Sequence, residues 1–354
     1  MWPDIFNDDA FSLISLSAVI NNLDYVPGRV GELVFNGTAD PQATDVVTLE
    51  SIAGAISLVP TSARGGPAPL ETQDKGGLRA VSIPHIKLED NINAASVRNV
   101  RELGSTDTLR SVRSVVDKQI AKMNTRFDMT LEHHRLGAIK GIIVDSDSSV
   151  LLNLFTLFGI SAPADVNFSD VFVATPDAAA LATVRTKVQQ VTRQIKRTIK
   201  TQWPSSAKIW ALCGDNFFDA LIESSSVKGV YEGYAAAERR LGANYSHGIY
   251  EFAGVFWENY QGSDDNSTVA IDTNECQFFV TGVPGLYAEY YAPADFMETV
   301  NTVALPRYAK VAPDGQFNRS IALHVQTNPL PLCLRPQTLI KGVFEPATGS
   351  GFED

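Results

Sequence analysis

The sequence predicts an α+β fold, and three observations carry that prediction. One helical pattern runs unbroken from Thr108 to Ile139. Two β-rich runs flank a Gly- and Pro-rich excursion between residues 46 and 92. From Gly248 onward the apolar residues fall in short extended segments separated by turn residues.

Composition sets the outer bounds. A chain of 354 residues with 44% hydrophobic content has enough material for two or three domains with buried cores. Its net charge of −11 argues against a general attraction to nucleic-acid phosphates. Cys213, Cys276 and Cys333 are widely spaced, with no CxxC pair, and read as reduced, buried thiols in a cytosolic setting. Asp4, Asp8 and Asp9 stand where a signal peptide needs cations, and no apolar run approaches the ~18 residues of a membrane span. A soluble, intracellular protein without a membrane partner is the expectation.

In chain order, residues 9–23 form a short amphipathic pattern with Leu13, Leu16, Ile20 and Leu23 on one face. It fits a helix docked on the main body and, equally, an arm that packs on a neighbouring chain. Val46 to Val59 is rich in β-branched and aliphatic residues. Val81 to Leu88 alternates in two phases, with Pro84 between them marking an edge or bulge. The stretch between holds Gly65, Gly66, Pro67, Pro69, Gly76 and Gly77 and one large aliphatic, Leu70. It reads as a long hairpin with a charged tip of Arg64, Glu71, Asp74 and Lys75. Such a hairpin gains stability only by lying on something else, in this chain or another.

The long helix follows. Leu109, Val112, Val116, Ile120, Met123, Phe127 and Leu131 step by three or four and define one apolar stripe, while Asp128, Glu132 and several cations cover the other sides. At ~1.5 Å per residue it would extend roughly 48 Å, a rod laid across a sheet. Lys140 to Val144 and Ser149 to Phe158 suggest a second hairpin around Asp145-Ser146-Asp147-Ser148. A calcium loop there is disfavoured, because Val150 and Thr156 replace the glycine and the bidentate glutamate it needs.

A second domain begins near Val171. Thr175-Pro176-Asp177 is a helix start, and Leu181, Val184, Val188, Val191, Ile195 and Ile199 form its apolar face up to Pro204. Arg185, Lys187, Arg193, Lys196, Arg197 and Lys200 line the polar face. In an acidic chain they fit a solvated surface, or a contact with acidic groups on a neighbouring copy, better than a nucleic-acid stripe. A strand (208–212), helices at 216–224 and 227–241, and strands at 248–252, 255–260, 269–272 and 277–281 complete this unit. Extended segments follow at 286–291, 321–327, 332–334 and 338–344, then a small polar tail.

No catalytic signature emerges. Cys213 sits between a strand and a helix, but the flanking Ala211 and Asp215 supply half of a nucleophile elbow, and no motif assigns it a histidine base. A cytosolic thiol hydrolase using Cys213 is the alternative function. His133 and His134 are adjacent on a helix and point about 100° apart, so they cannot share a metal as an i, i+4 pair does. No catalytic residue, cofactor or metal is expected.

Several blocks carry a family resemblance: residues 211–219 (Ala-Leu-Cys-Gly-Asp-Asn-Phe-Phe-Asp), Glu238-Arg239-Arg240 and 252–258 (Phe-Ala-Gly-Val-Phe-Trp-Glu). Further blocks are 291–296 (Tyr-Ala-Pro-Ala-Asp-Phe), 305–310 (Leu-Pro-Arg-Tyr-Ala-Lys), 326–332 (Gln-Thr-Asn-Pro-Leu-Pro-Leu) and Arg335-Pro336. In this order the chain resembles the major capsid proteins of lambda-type (family E) tailed phages. The resemblance lies mainly in residues 205–340.

It implies an HK97-like phage capsid fold. The parts would be an N-terminal arm (1–45), an extended hairpin loop (46–92), a peripheral domain with a long spine helix (93–170 and 283–354) and an axial domain (171–282). It further implies a non-enzymatic protein that self-assembles into hexamers and pentamers of an icosahedral head, enclosing DNA without sequence-specific binding. Assembly in the host cytoplasm, a separate scaffolding protein, a portal and a decoration protein belong to the same expectation. The candidate inter-subunit contacts are Arg64, Glu71, Asp74, Lys75 and Arg79 on the hairpin, with Leu13, Leu16 and Ile20 in the arm.

Overall fold

The computed structural model describes residues 17, 20, 28–51, 77–94, 112–172, 178–199, 203–224, 227, 249–261, 269–313 and 319–345. Within them the chain opens with a short helix, α1 (Arg29–Leu33), and a strand, β1 (Ala39–Pro41). The hairpin strands β2 (Val46–Ser51) and β3 (Gly77–Ser82) follow, then β4 (Ile86–Asn93) and the long helix α2 (Val112–Lys140). A small hairpin, β5 (Ile142–Val144) and β6 (Val150–Asn153), leads into α3 (Leu154–Phe158) and β7 (Val166–Asn167). Next come α4 (Ala178–Ile199), β8 (Lys208–Cys213), α5 (Asp215–Glu223), β9 (Tyr250–Phe252), β10 (Val255–Asn259) and β11 (Glu275–Thr281). The remainder is extended: β12 (Tyr287–Tyr291), β13 (Tyr308–Pro313), β14 (Ser320–Thr327), β15 (Pro329–Cys333) and β16 (Ile340–Val343).

The largest sheet has six strands in the order β7-β16-β11-β8-β10-β9. Its central strands are buried on both faces: Ile209 to Cys213 in β8 is a continuous apolar run, and Cys276 to Val280 in β11 is buried throughout with one polar member, Gln277. The apolar face of α4 (Val184, Val188, Val191, Ile195, Ile199) and Phe217 and Leu221 of α5 pack into the same core. The sheet crosses the expected domain boundaries, since β7 and β16 come from segments assigned to the peripheral part.

A second, smaller core lies under the three-stranded sheet β13-β14-β4. Val116, Ile120, Met123 and Phe127 of α2 meet Ile92, Ala309, Leu323 and Val325 there. Further along, Leu136, Ala138 and Ile139 belong to the main core. The helix therefore bridges two cores, and it departs from the single-stripe expectation in its second half. Glu132, His134 and Arg135 are buried as well. Each of the two charged ones has a partner: Glu132 accepts from the N–H groups of Val30 and Gly31, and Arg135 pairs with Glu289. Those partners come from distant parts of the chain, which helical periodicity cannot register. At Gly137 any Cβ would lie 2.9 Å from the carbonyl oxygen of Ile142, so the helix needs glycine to let β5 turn back against it.

Three local expectations are corrected. Leu154 to Phe158 is helical because the Asn153 side chain caps the N–H groups of Phe155 and Thr156, and Gly159 closes the turn at φ 63°. Val269 and Ile271 are buried, yet the stretch 269–272 joins no ladder. The run 81–88 is two strands, with Pro84 at the transfer from β3 in one sheet to β4 in another. The expected helix at 227–241 (beyond residue 227), most of 9–23, the turn at 262–267 and the hairpin tip lie outside the described residues.

Candidate self-association surfaces

The base of the hairpin is fastened to its own chain. β2 and β3 pair antiparallel from Val46↔Ser82 to Ser51↔Gly77. Val47, Leu49 and Val81 point into the main core, and the opposite face leaves Val46 and Leu78 in solvent, Leu78 at 73% exposure. This alternation anchors one side and presents the other. Arg79, one of the contact candidates, is half-buried with its guanidinium over Gly159, where a Cβ would sit 3.0 Å from Nη2. Arg64, Glu71, Asp74 and Lys75 lie outside the described residues, as do Leu13 and Leu16.

Ile20 has a different fate from the one expected. It is 1% exposed and packs in the second core of its own chain, while the nearby Ser17 hydroxyl accepts the N–H of Ala309 at 3.2 Å. An apolar side chain already enclosed by its own subunit is spent there. At these two positions the segment is docked on the body, and Ile20 is removed from the contact candidates.

The loop before β13 was missed by sequence reasoning. Met297 is 89% exposed, Val303 62%, Val300 60% and Leu305 45%. Polar contacts hold these apolar groups outward. The buried Thr299 hydroxyl donates to the carbonyls of Ala294 and Phe296, and Thr302 Oγ1 donates to the Thr299 carbonyl at 2.8 Å. The N–H of Ala304 reaches the Gln42 carbonyl at 2.9 Å, and that of Leu305 reaches Tyr308 Oη at 2.7 Å. Fully burying an exposed side chain of this size gains about 1.5–3 kcal/mol, so this hydrogen-bonded loop holds a cluster of apolar groups at a cost the isolated chain does not recover. The available sequence signal was a cluster of apolar residues with neither a helical nor a strand period.

A second exposed apolar group marks the small hairpin, where Val150 is 62% exposed and Leu151 40%. Its turn places Ser148 at φ 66°, and Asp147 accepts the Ser149 N–H at 2.9 Å; the Ser149 hydroxyl first, and this N–H second, hold its carboxyl below the usual range. Among the described residues no group of three or more His, Cys, Asp or Glu could hold a metal ion.

Cys213 does not support the thiol-hydrolase alternative. It is fully buried on the central strand, opposite Cys276 in the β8–β11 register. Burial pushes the Cys276 thiol up, with the adjacent Cys213 adding to the shift. A nucleophile requires a thiolate within reach of substrate, and Cys213, enclosed at the end of β8, offers no access.

The chain is similar to known capsid proteins along nearly its whole length. The family described as phage major capsid protein E matches residues 12–344. The major capsid protein of Pseudomonas phage KPP10 is 22% identical over 326 residues, covering 86% of this chain and 88% of that protein. The major capsid protein of Salmonella phage Felix O1 is 28% identical over 92 residues, a quarter of each chain. Among solved structures, a prophage capsid protein from E. coli CFT073 superposes with a TM-score of 0.56 at 10% identity, covering 94% of this chain and 99% of that one. The fold is the HK97-like capsid fold. With two cores strung on one helix and apolar loops held in solvent, this chain belongs to the phage major capsid protein E family, whose members form the capsid shell.

Proposed function

We propose that copies of this chain close into hexamers and pentamers, and that these tile an icosahedral phage head around DNA held without sequence-specific contacts. The observation that carries the reading is the loop that displays Met297, Val300, Val303 and Leu305 on a hydrogen-bonded frame, together with a hairpin base anchored on one face and bare on the other. Within residues 46–92, the part beyond the β2–β3 base acts as the strap over a neighbour, with Arg64, Glu71, Asp74 and Lys75 as its charged contacts and Leu13 and Leu16 of the arm (1–45) as apolar ones, while Arg79 over Gly159 fixes its foot. The peripheral part (93–170 and 283–354) carries the spine helix. The axial part (171–282), edged by β7 and β16, faces the capsomer centre. Specific interfaces of about 1,200–2,000 Å² per pair, repeated around a closed lattice, stabilise a shell without any single strong contact.

The chain works without enzymatic activity, and assembly takes place in the host cytoplasm with a separate scaffolding protein, a portal and a decoration protein as partners. Electron microscopy of the expressed protein, alone and with its scaffold, should show shells, tubes or capsomers. Deleting residues 62–76, which leaves the β2–β3 ladder intact, should preserve the fold and block closure. A protein that stays monomeric at every concentration, or normal shells from the deletion, would refute the respective part of the reading.

A further inference from the structure

The outer face of α4 carries a groove that the strap and the apolar loop do not use. Gln190, Arg193, Gln194, Arg197 and Thr198, with Gln337 from the segment before β16, line a space of about 640 Å³. The α4 positions recur at steps of three and four, opposite the buried stripe of Val184, Val188 and Ile195. Among the described residues neither guanidinium has an ion-pair or hydrogen-bond partner. In a chain of net charge −11, two uncompensated arginines in an amide-lined groove form a receptor for a negatively charged edge.

Such an edge exists on the neighbouring helix of the same core. Asp215, Asp219 and Glu223 succeed one another every four residues along α5. Asp215 is tied to Asn259 at 2.8 Å, whereas Asp219 and Glu223 stand exposed. Partial burial and the two flanking carboxylates push the Asp219 carboxyl up, the mark of like charges left without a cation. Among the described residues no ion pair joins α4 to α5 within one chain.

We propose that the α4 groove of one copy receives the acidic edge of α5 from the next copy, head to tail around the capsomer. This rests on the shell reading above. A contact between two different patches of the same chain generates a ring when its rotation closes, and here the patches carry opposite charge. A DNA phosphate would satisfy Arg193 and Arg197, but it would leave the α5 edge unanswered.

Charge exchange tests the pairing. R193E/R197E and D219K/E223K should each lower the assembled fraction, read by sedimentation and electron microscopy, by about tenfold or more, while melting curves of the unassembled proteins stay unchanged. All four changes in one chain should restore assembly. An equimolar mixture of the two reversed proteins should restore even-membered rings, because alternating copies then present opposite charges at every joint. Should R193E/R197E not fold, R193Q/R197Q carries the same test and should lose salt sensitivity as well as yield. Wild-type yield from either reversed protein, or loss without rescue by both the combined variant and the mixture, overturns the pairing. Normal shells from R193E/R197E that retain less DNA overturn it in favour of phosphate. Wild-type protein that never assembles instead sinks the shell reading, and this proposal with it.

Discussion

Glu132 Oε1 lies 2.7 Å from the backbone nitrogen of Val30, although 102 positions separate the two residues. The same carboxylate accepts the N–H of Gly31 at 3.1 Å and the Tyr260 hydroxyl at 3.1 Å. It caps α1 from the side of α2 and ties a third segment to both. Glu132→Ala should cost about 2–4 kcal/mol in urea unfolding of unassembled protein, because it strands three buried donors. Gly28→Ala should act similarly, since its Cβ would fall 2.1 Å from Glu132 Cδ. Burial, outweighing these hydrogen bonds, raises the Glu132 carboxyl above its ordinary 4.5. The unfolded chain therefore releases this proton first. The Glu132 contribution to stability falls as pH rises from 4.5 through the folded-state value, then stays level. Glu132→Gln should remove that slope relative to wild type.

Arg135 and Glu289 make a two-pronged buried ion pair, with Nε to Oε1 at 2.8 Å and Nη2 to Oε2 at 2.9 Å. Tyr291 Oη donates to the same carboxylate at 3.0 Å. Arg135→Met should destabilise by about 3–5 kcal/mol, because an unpaired carboxylate is left where water cannot reach. Arg135→Met combined with Glu289→Leu should recover much of that loss. A double-mutant cycle in urea reads the difference.

His134 is 1% exposed, and both ring nitrogens are buried without a hydrogen-bond partner among the described residues. Burial first, and His133 second, lower it to about 4 from 6.5. The unfolded chain takes up this proton before the folded one does. The contribution is therefore complete above pH 6.5 and is lost as pH falls towards 4, amounting to about 3 kcal/mol. His134→Phe should flatten the fall in melting temperature between pH 6.5 and 4, and it should be neutral or stabilising at pH 7.

Met297, Val300 and Val303 make few demands on the isolated subunit. Replacing all three with Ser should change its stability by no more than about 0.5 kcal/mol per site, while strongly reducing shell yield. Loss of the monomer fold would show instead that these side chains serve the chain's own core.

Sequence reading succeeded where burial imposes a period. The stripe from Val116 to Leu131 and the α4 stripe from Val184 to Ile199 are buried as their spacing predicts. It failed where a polar group is buried by a partner far along the chain, as at Glu132 and Arg135, because helical spacing treats such residues as solvent-facing. It also missed the exposed loop at 297–305. Apolar residues held in solvent share the composition of a core, and only the fold reveals that they face outward. At Ile20 the same ambiguity ran the other way: an apolar residue offered to a neighbour is already enclosed by its own subunit.

Only Ile83, Pro84 and His85 separate β3 from β4. Three residues reach at most about 10 Å, and proline fixes one of the intervening torsions, so the link has almost no slack. A pull on the β2–β3 pair therefore passes directly to β4 and through its sheet to the first half of the spine. The proline link thus acts as a tendon between two sheets: neither can shift without loading the other, and through it the two cores strung on the helix.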